Sequence, residues 1–90
     1  MKRLHALFRG RVQGVNFRRH VGNLASDRGL CGRVRNLTDG TVEMIVEGDE
    51  GSLQALVGDL KSSPPPIRVD EVQESWSDAE GGIVGFKIVR

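Results

Sequence analysis

The chain has 90 residues, with 13 lysines and arginines against 12 aspartates and glutamates. This near balance argues against a general nucleic-acid-binding protein, which normally carries a strongly basic face. No apolar run approaches the roughly 20 residues that a transmembrane helix needs. The single cysteine, Cys31, cannot form an internal disulfide, which is typical of cytoplasmic proteins. We therefore expect one small cytoplasmic domain over residues 1–90, a monomer.

The first elements are predicted from hydrophobic periodicity. Apolar residues alternate with polar ones over residues 4–12, which predicts a half-buried strand. Apolar residues then recur at helical spacing from 17 to 25, with Asn16 as the candidate N-cap and Gly29 as the stop. A strand followed by a helix is therefore expected at the N-terminus.

The middle of the chain is predicted to form a hairpin and a second helix. Residues 31–37 and 41–47 are two strand candidates joined by a turn at residues 38–40, where glycine accepts a positive φ. A helix is expected over residues 53–60, beginning near Asp49 or Ser52 and ended by the prolines that follow.

The last third is predicted to contain two strands. Residues 67–76 indicate a strand whose apolar register breaks between Val69 and Val72, and Trp76 is expected in the core. Residues 86–89 are short enough to be an edge strand.

This order of elements is the α+β, ferredoxin-like split β-α-β sandwich: βαββαβ plus a short C-terminal strand. A right-handed crossover makes the first two strands parallel, with the third antiparallel between them and both helices on one face of the mixed sheet. The turn after the first strand and the end of the second strand at Asn36 then emerge at one edge, about 10 Å apart.

The turn after the first strand is the most informative segment. Its backbone N–H groups can converge on one anion, aided by the N-terminus of the following helix. Arg18 adds a permanently charged, forked donor. The predicted phosphate-binding loop consists of Gln13, Gly14, Val15, Asn16, Phe17 and Arg18. Taken alone, such a segment is more often an ordinary glycine turn followed by a solvated arginine.

A second segment, residues 32–48, changes that balance. Residues 10–18 and 32–48 together resemble the acylphosphatase family. They match its signatures Gly-x-Val-Gln-Gly-Val-x-Phe-Arg and Gly-x-Val-x-Asn-x-x-x-Gly-x-Val-x-x-x-x-x-Gly. The resemblance extends over the whole chain, including the closing residues 85–90. It implies that Arg18 and Asn36 are the catalytic residues, Arg18 on the phosphate and Asn36 on the attacking water. Arg33 stands where the family usually has an aromatic residue, which affects a packing contact beside the site.

The chemistry of acyl phosphates suits so small a set of residues. Their leaving group is a carboxylate, whose conjugate acid has a pKa of about 4, so it departs without protonation. The transition state for phosphoryl transfer is loose, so catalysis is mostly positioning and charge stabilisation. We therefore predict a hydrolase, an acylphosphatase, that converts an acyl phosphate and water to a carboxylate and inorganic phosphate without metal or cofactor. The phosphate product is expected to inhibit competitively.

Two other functions use the same topology. Acylphosphatase-like domains also occur inside larger carbamoyl-transfer proteins, so the alternative is a non-hydrolytic module that recognises phosphate or carbamoyl phosphate. The length of the chain favours the enzyme. An RNA-binding sheet would need two or three exposed aromatic residues on its central strands, which are absent from the sequence. No nucleic acid or membrane partner is therefore expected.

The remaining polar residues are predicted to be structural. His5 and His20 have no cysteine, histidine or carboxylate at metal-ligand spacing, so both are expected at the surface and no metal site is predicted. Arginines 33 and 35 are expected to pair across strands with glutamates 43 and 47.

Overall fold

Seven elements follow one another along the chain, and the computed structural model describes all residues 1–90. They are β1 (Lys2–Arg11), α1 (Phe17–Asp27), β2 (Cys31–Asn36), β3 (Val42–Gly48), α2 (Glu50–Lys61), β4 (Arg68–Asp78) and β5 (Phe86–Val89). The predicted order is confirmed. The start of α2 is also confirmed, because the Asp49 carboxylate accepts hydrogen bonds from the backbone N–H groups of Gly51 and Ser52.

The five strands form one mixed sheet in the order β4-β1-β3-β2-β5. Strand β3 pairs antiparallel with both β1 and β2, so these two strands run parallel to each other. Strand β5 adds to the outer edge of β2 in the parallel sense. This is the predicted ferredoxin-like α+β fold, and it brings the C-terminal end of β1, the C-terminal end of β2 and the end of β5 to one edge.

One apolar layer joins the sheet to the helices. The inward-facing residues of β1 and β3, such as Leu4 and Met44, are fully buried and belong to a single cluster with the apolar faces of α1 and α2. Phe8 of β1 and Phe17 at the start of α1 meet edge to face, with ring centroids 5.2 Å apart. This contact sets the position of the N-terminus of α1 against the sheet.

A β-bulge explains the broken register of the fourth strand. Arg9 lies opposite Glu71 and Gly10 lies opposite Val69, so Asp70 is an extra residue in β4. The extra residue lets Val69 and Val72, three positions apart, both pack against the core. Gly10 has a φ of +132°, and a Cβ there would collide with the Arg68 carbonyl oxygen. Glycine is therefore required opposite the bulge.

Trp76 does not lie in the core, contrary to the prediction. It stands opposite Leu4 on the edge strand β4 and is 37% exposed. Its indole N–H donates to the Glu74 carboxylate at 3.1 Å. The edge position accounts for the difference, because a ring there packs on one side and keeps its polar N–H within reach of a surface partner.

No helix of the chain has both the length and the apolar character that crossing a membrane requires.

Candidate active site

A cavity of about 650 Å³ opens where the β1–α1 loop, the end of β2 and the end of β5 meet. It brings together Arg18 and Asn36, the two residues on which the predicted chemistry depends. It also includes three members of the predicted loop, Gly14, Asn16 and Phe17. The full lining consists of Val12, Gly14, Asn16, Phe17, Arg18, Arg19, Asn36, Ile88 and Arg90.

The loop backbone is shaped by two residues in the left-handed region. Gly14 has a φ of +74° and Asn16 a φ of 62°. Asn16 occupies the N-cap position, but its side chain makes no capping hydrogen bond, because the extended backbone that aims a cap side chain at the first turn is missing there. The predicted N-cap position at Asn16 is confirmed, but no side-chain hydrogen bond accompanies it.

In this loop conformation, successive backbone N–H groups have no hydrogen-bond acceptor within the protein. The first hydrogen bond of α1 runs from the N–H of His20 to the carbonyl of Asn16 at 3.1 Å. None of the backbone N–H groups of residues 13–19 donates to an acceptor within the protein. Unpaired N–H groups at a helix N-terminus, preceded by left-handed residues, form a concavity suited to an anion.

Gln13 links this loop to the neighbouring hairpin. Its side-chain amide Nε2 donates to the carbonyl oxygens of Leu37 and Thr41, at 2.8 Å each. These two residues flank the β2–β3 turn, which begins immediately after Asn36. Gln13 and Val15 do not line the cavity, and Val15 packs against the core instead. A phosphate contact through their backbone N–H groups stays a prediction.

Arg18 is half-buried, and a hydrogen bond to strand β5 fixes its side chain. Its guanidinium Nη1 donates to the carbonyl oxygen of Val89 in β5 at 2.8 Å. A guanidinium has five N–H donors, so this bond leaves most of them for a ligand. The bond fixes the direction of a long side chain that would otherwise be mobile, because β5 is itself held in the sheet by β2.

Asn36 is the last residue of β2 and lies opposite Val42 of β3. Its side chain is exposed, lines the cavity and makes no hydrogen bond to another protein group. The amide is therefore available to a water molecule or a substrate. Its neighbour Arg35 is held by Glu43 at 2.7 Å, which steadies this end of the strand.

The cavity also contains residues that the sequence did not single out. Arg19, Ile88 and Arg90 line it, together with Val12. Arg19 directly follows Arg18, which was a usable signal. No local sequence signal placed Ile88 or Arg90 in the cavity, because their position depends on the pairing of β5 with β2.

Several charged residues of the open sheet face are engaged in structural contacts. Glu43 accepts from both His5 and Arg35. Partial burial raises the pKa of Glu43, but these two hydrogen bonds outweigh it and the pKa lies below its usual value. Glu47 accepts from Arg3 at 2.7 Å, and Arg33 lies opposite Ile45. The prediction of cross-strand pairing is confirmed for Arg35 and wrong for Arg33, since the partner position opposite Arg33 is apolar.

The protein holds no cluster of three or more histidines, cysteines, aspartates or glutamates that could bind a metal ion. His5 lies against Glu43 at 2.8 Å, and His20 is half-buried on α1. Cys31 is a free, half-buried thiol at the start of β2.

Comparison with known proteins assigns the family. The acylphosphatase family model matches residues 4–88. The chain belongs to the acylphosphatase family. A relative from Thermococcus kodakarensis named acylphosphatase is 47% identical, and the alignment covers 99% of each chain. The crystal structure of acylphosphatase from Bacillus subtilis superposes with a TM-score of 0.95 at 38% identity, covering both chains completely. The predicted family and enzyme class are confirmed.

The same fold also occurs inside a larger protein. The crystal structure of HypF from T. kodakarensis superposes with a TM-score of 0.85 at 34% identity, but the chain spans only 12% of that protein. The alternative of a recognition module is therefore less well supported than the enzyme, whose relatives match in sequence over nearly their whole length.

Proposed function

We propose that the enzyme hydrolyses acyl phosphates in this cavity, with the loop and Arg18 binding the phosphoryl group and Asn36 holding the attacking water. The observation that carries the proposal is that Arg18, Asn36 and the unpaired N–H groups at the start of α1 share one cavity. No other cavity of the protein contains an arginine or an unpaired helix N-terminus.

The loop supports binding of the phosphoryl group. In the loose transition state, negative charge lies on the three equatorial phosphoryl oxygens. Backbone N–H groups at the start of α1 and the Arg18 guanidinium are donors whose positions are set before substrate arrives, by the Gly14 and Asn16 backbone and by the Val89 carbonyl. Preorganised donors of this kind stabilise developing charge without reorganisation.

Asn36 can position the attacking water. Its amide can accept a hydrogen bond from water and donate one to a phosphoryl oxygen, which holds the water in line with the bond to be broken. The water oxygen forms a bond to phosphorus, and the bond from phosphorus to the acyl oxygen breaks. The bonding electron pair leaves on the carboxylate, and the water proton passes to a phosphoryl oxygen or to solvent.

The same residues account for product inhibition. Inorganic phosphate retains the oxygens that the loop and Arg18 bind, so it should compete with the substrate. We also propose the phosphate-binding loop as residues 13–18, a cytoplasmic location and a monomeric state. The single free cysteine, Cys31, supports the reducing compartment.

The test is hydrolysis of benzoyl phosphate, followed by the loss of its ultraviolet absorbance, in water enriched in heavy oxygen. We expect the label in inorganic phosphate, because water attacks phosphorus, and competitive inhibition by phosphate. Label in benzoate instead would place the attack at the acyl carbon, where Arg18 and Asn36 have no role. Binding of phosphate without any hydrolysis would favour the recognition module.

A further inference from the structure

Two arginines in the cavity have no task in the proposed reaction. Arg19 and Arg90 both line it, both are exposed, and neither forms an ion pair or a hydrogen bond within the protein. Most arginines elsewhere in the chain are neutralised by a carboxylate, namely Arg3, Arg9, Arg28, Arg35 and Arg68. Three of the cations that have no carboxylate partner, Arg18, Arg19 and Arg90, therefore share this one cavity.

No side chain of the lining balances this charge. Three of its nine residues are arginines, and none is an aspartate or a glutamate. Like charges gathered at one site repel one another, and an anionic ligand relieves that repulsion. Arg18 and the unpaired N–H groups of the loop already provide for the phosphoryl group. The guanidinium groups of Arg19 and Arg90 have no partner in this arrangement.

The cavity is also larger than a phosphate group requires. Its volume of about 650 Å³ lies in the range of sites that take up a whole small molecule. Arg19 is adjacent to Arg18 on α1, and neighbouring residues of a helix point in different directions, so the two reach different parts of the space. Arg90 enters from the side of β5. Ile88, which is 46% exposed, provides an apolar surface between polar groups.

We propose that the enzyme prefers acyl phosphates whose acyl part carries a second anionic group, such as a carboxylate, and that Arg19 and Arg90 bind this group. The proposal rests on the proposed function and adds the class of acyl group. The phosphoryl end lies at the loop and Arg18, and the acyl body covers Ile88. The second anion then lies between the two arginines.

The expected preference is moderate, because Arg19 and Arg90 are exposed. Ion pairs between exposed groups change an equilibrium by about two- to fivefold each. With both arginines acting, we expect a preference of roughly five- to tenfold in kcat/KM at low ionic strength. Salt screens exposed charges, so the preference should fall toward one at about 0.5 M sodium chloride.

The experiment compares two substrates of the same shape. These are 4-carboxybenzoyl phosphate and its neutral analogue 4-carbamoylbenzoyl phosphate, each corrected for its uncatalysed rate of hydrolysis. The ratio of their kcat/KM values cancels effects on the shared phosphoryl group. R19Q and R90Q should each lower the ratio by about twofold or more, and the double variant should bring it close to one. R33Q is the matched control, since Arg33 is an exposed, unpaired arginine outside the cavity.

Several outcomes would overturn the proposal. One is a ratio near one for the unaltered enzyme while both substrates are hydrolysed, and this leaves the proposed function intact. Another is a ratio that falls as much in R33Q as in R19Q or R90Q. That result would attribute the preference to the overall electrostatic field of the protein and not to a site. A third is R19Q weakening inhibition by inorganic phosphate as much as it lowers the ratio, which would place Arg19 on the phosphoryl group. Hydrolysis of neither substrate would contradict the proposed function itself. Circular dichroism confirms that each variant is folded.

Discussion

The side-chain amide of Gln13 donates to the backbone carbonyl of Leu37 at 2.8 Å, and this bond ties the proposed phosphate loop to the residue that follows Asn36. The same Nε2 donates to the carbonyl of Thr41 at 2.8 Å. Both functional parts of the site are thus joined by one side chain. The distance between a bound phosphoryl group and a water on Asn36 depends on this link, and small errors in that distance are costly in rate.

Replacing Gln13 by alanine should lower both stability and turnover. Two hydrogen bonds are lost, while each carbonyl keeps one backbone donor, the N–H of Gly40 for Leu37 and the N–H of Leu37 for Thr41. The free energy of unfolding should therefore fall by about 1–3 kcal/mol, the usual contribution of two hydrogen bonds. The loop and Asn36 lose their common anchor, so kcat should fall while the protein remains folded. Urea unfolding and kcat measure the two effects. Gln73→Ala, at an exposed position of β4, is the control. Normal turnover in Gln13→Ala would show that Gln13 does not position the site.

Replacing Gly14 by alanine should weaken the binding of phosphate. Gly14 has a φ of +74°, and a Cβ there meets no protein atom within 4 Å, so the cost is backbone strain without a clash. This strain amounts to about 1 kcal/mol and shifts the loop away from the conformation that aligns its N–H groups. The measurement is the inhibition constant of inorganic phosphate. The control is Gly58→Ala in α2, where alanine has open space and should stabilise the helix by roughly 0.5–1 kcal/mol. Phosphate inhibition equal to that of the parent would contradict the proposed loop.

Substitutions of Arg18 and of Asn36 should have different effects on phosphate binding and turnover. Arg18 is proposed to bind the phosphoryl group in both the ground and the transition state, so Arg18→Ala should weaken phosphate inhibition and slow turnover. Lysine should rescue it poorly, because a point charge cannot replace the forked donor that also bonds to Val89. Asn36→Ala should leave phosphate inhibition nearly unchanged while kcat falls on the order of a hundredfold. Normal kcat with loss of phosphate binding in Asn36→Ala would reverse the two roles.

Hydrolysis should continue undiminished in excess EDTA. The carboxylate leaving group departs without a Lewis acid, and no cluster of potential metal ligands occurs in the protein. The rate of benzoyl phosphate hydrolysis is measured after dialysis against the chelator. Loss of activity that a divalent ion restores would contradict the proposed mechanism.

The stability of the protein should fall at acidic pH, in part through Glu43. Hydrogen bonds from His5 and Arg35 hold the pKa of Glu43 below its usual value of 4.5, against the opposing effect of partial burial. The unfolded chain therefore binds this proton first as the pH falls, so the stabilisation is complete above pH 4.5 and is lost as the pH drops through the lower folded pKa. Tm of Glu43→Gln should be below that of the parent at neutral pH and should change less between about pH 5 and pH 3. Equal slopes for the two proteins would show that Glu43 is not involved.

Much of the site could be predicted because its signals are local. A glycine turn between an alternating strand and a helical repeat predicts N–H groups that can face one anion, and the resemblance to the acylphosphatase family adds the roles of Arg18 and Asn36. The crossover rule then brings Asn36 to the same edge. Hydrophobic periodicity and turn chemistry depend on residues close in sequence, and for this reason the order of elements, the Asp49 cap and the position of the loop could be read from the chain.

Only the tertiary structure decided which groups hold the site together. Arg18 and Val89 are 71 positions apart, and their bond depends on β5 pairing parallel to β2. The presence of Arg90 in the cavity has the same origin. The extra residue Asp70 in β4 could not be placed in advance, because a bulge is defined only against the partner strand. Trp76 was misjudged because its size indicates burial, whereas its exposure depends on its place at the edge of the sheet. Local preferences determine what each segment forms, and contacts between distant segments determine what each side chain meets.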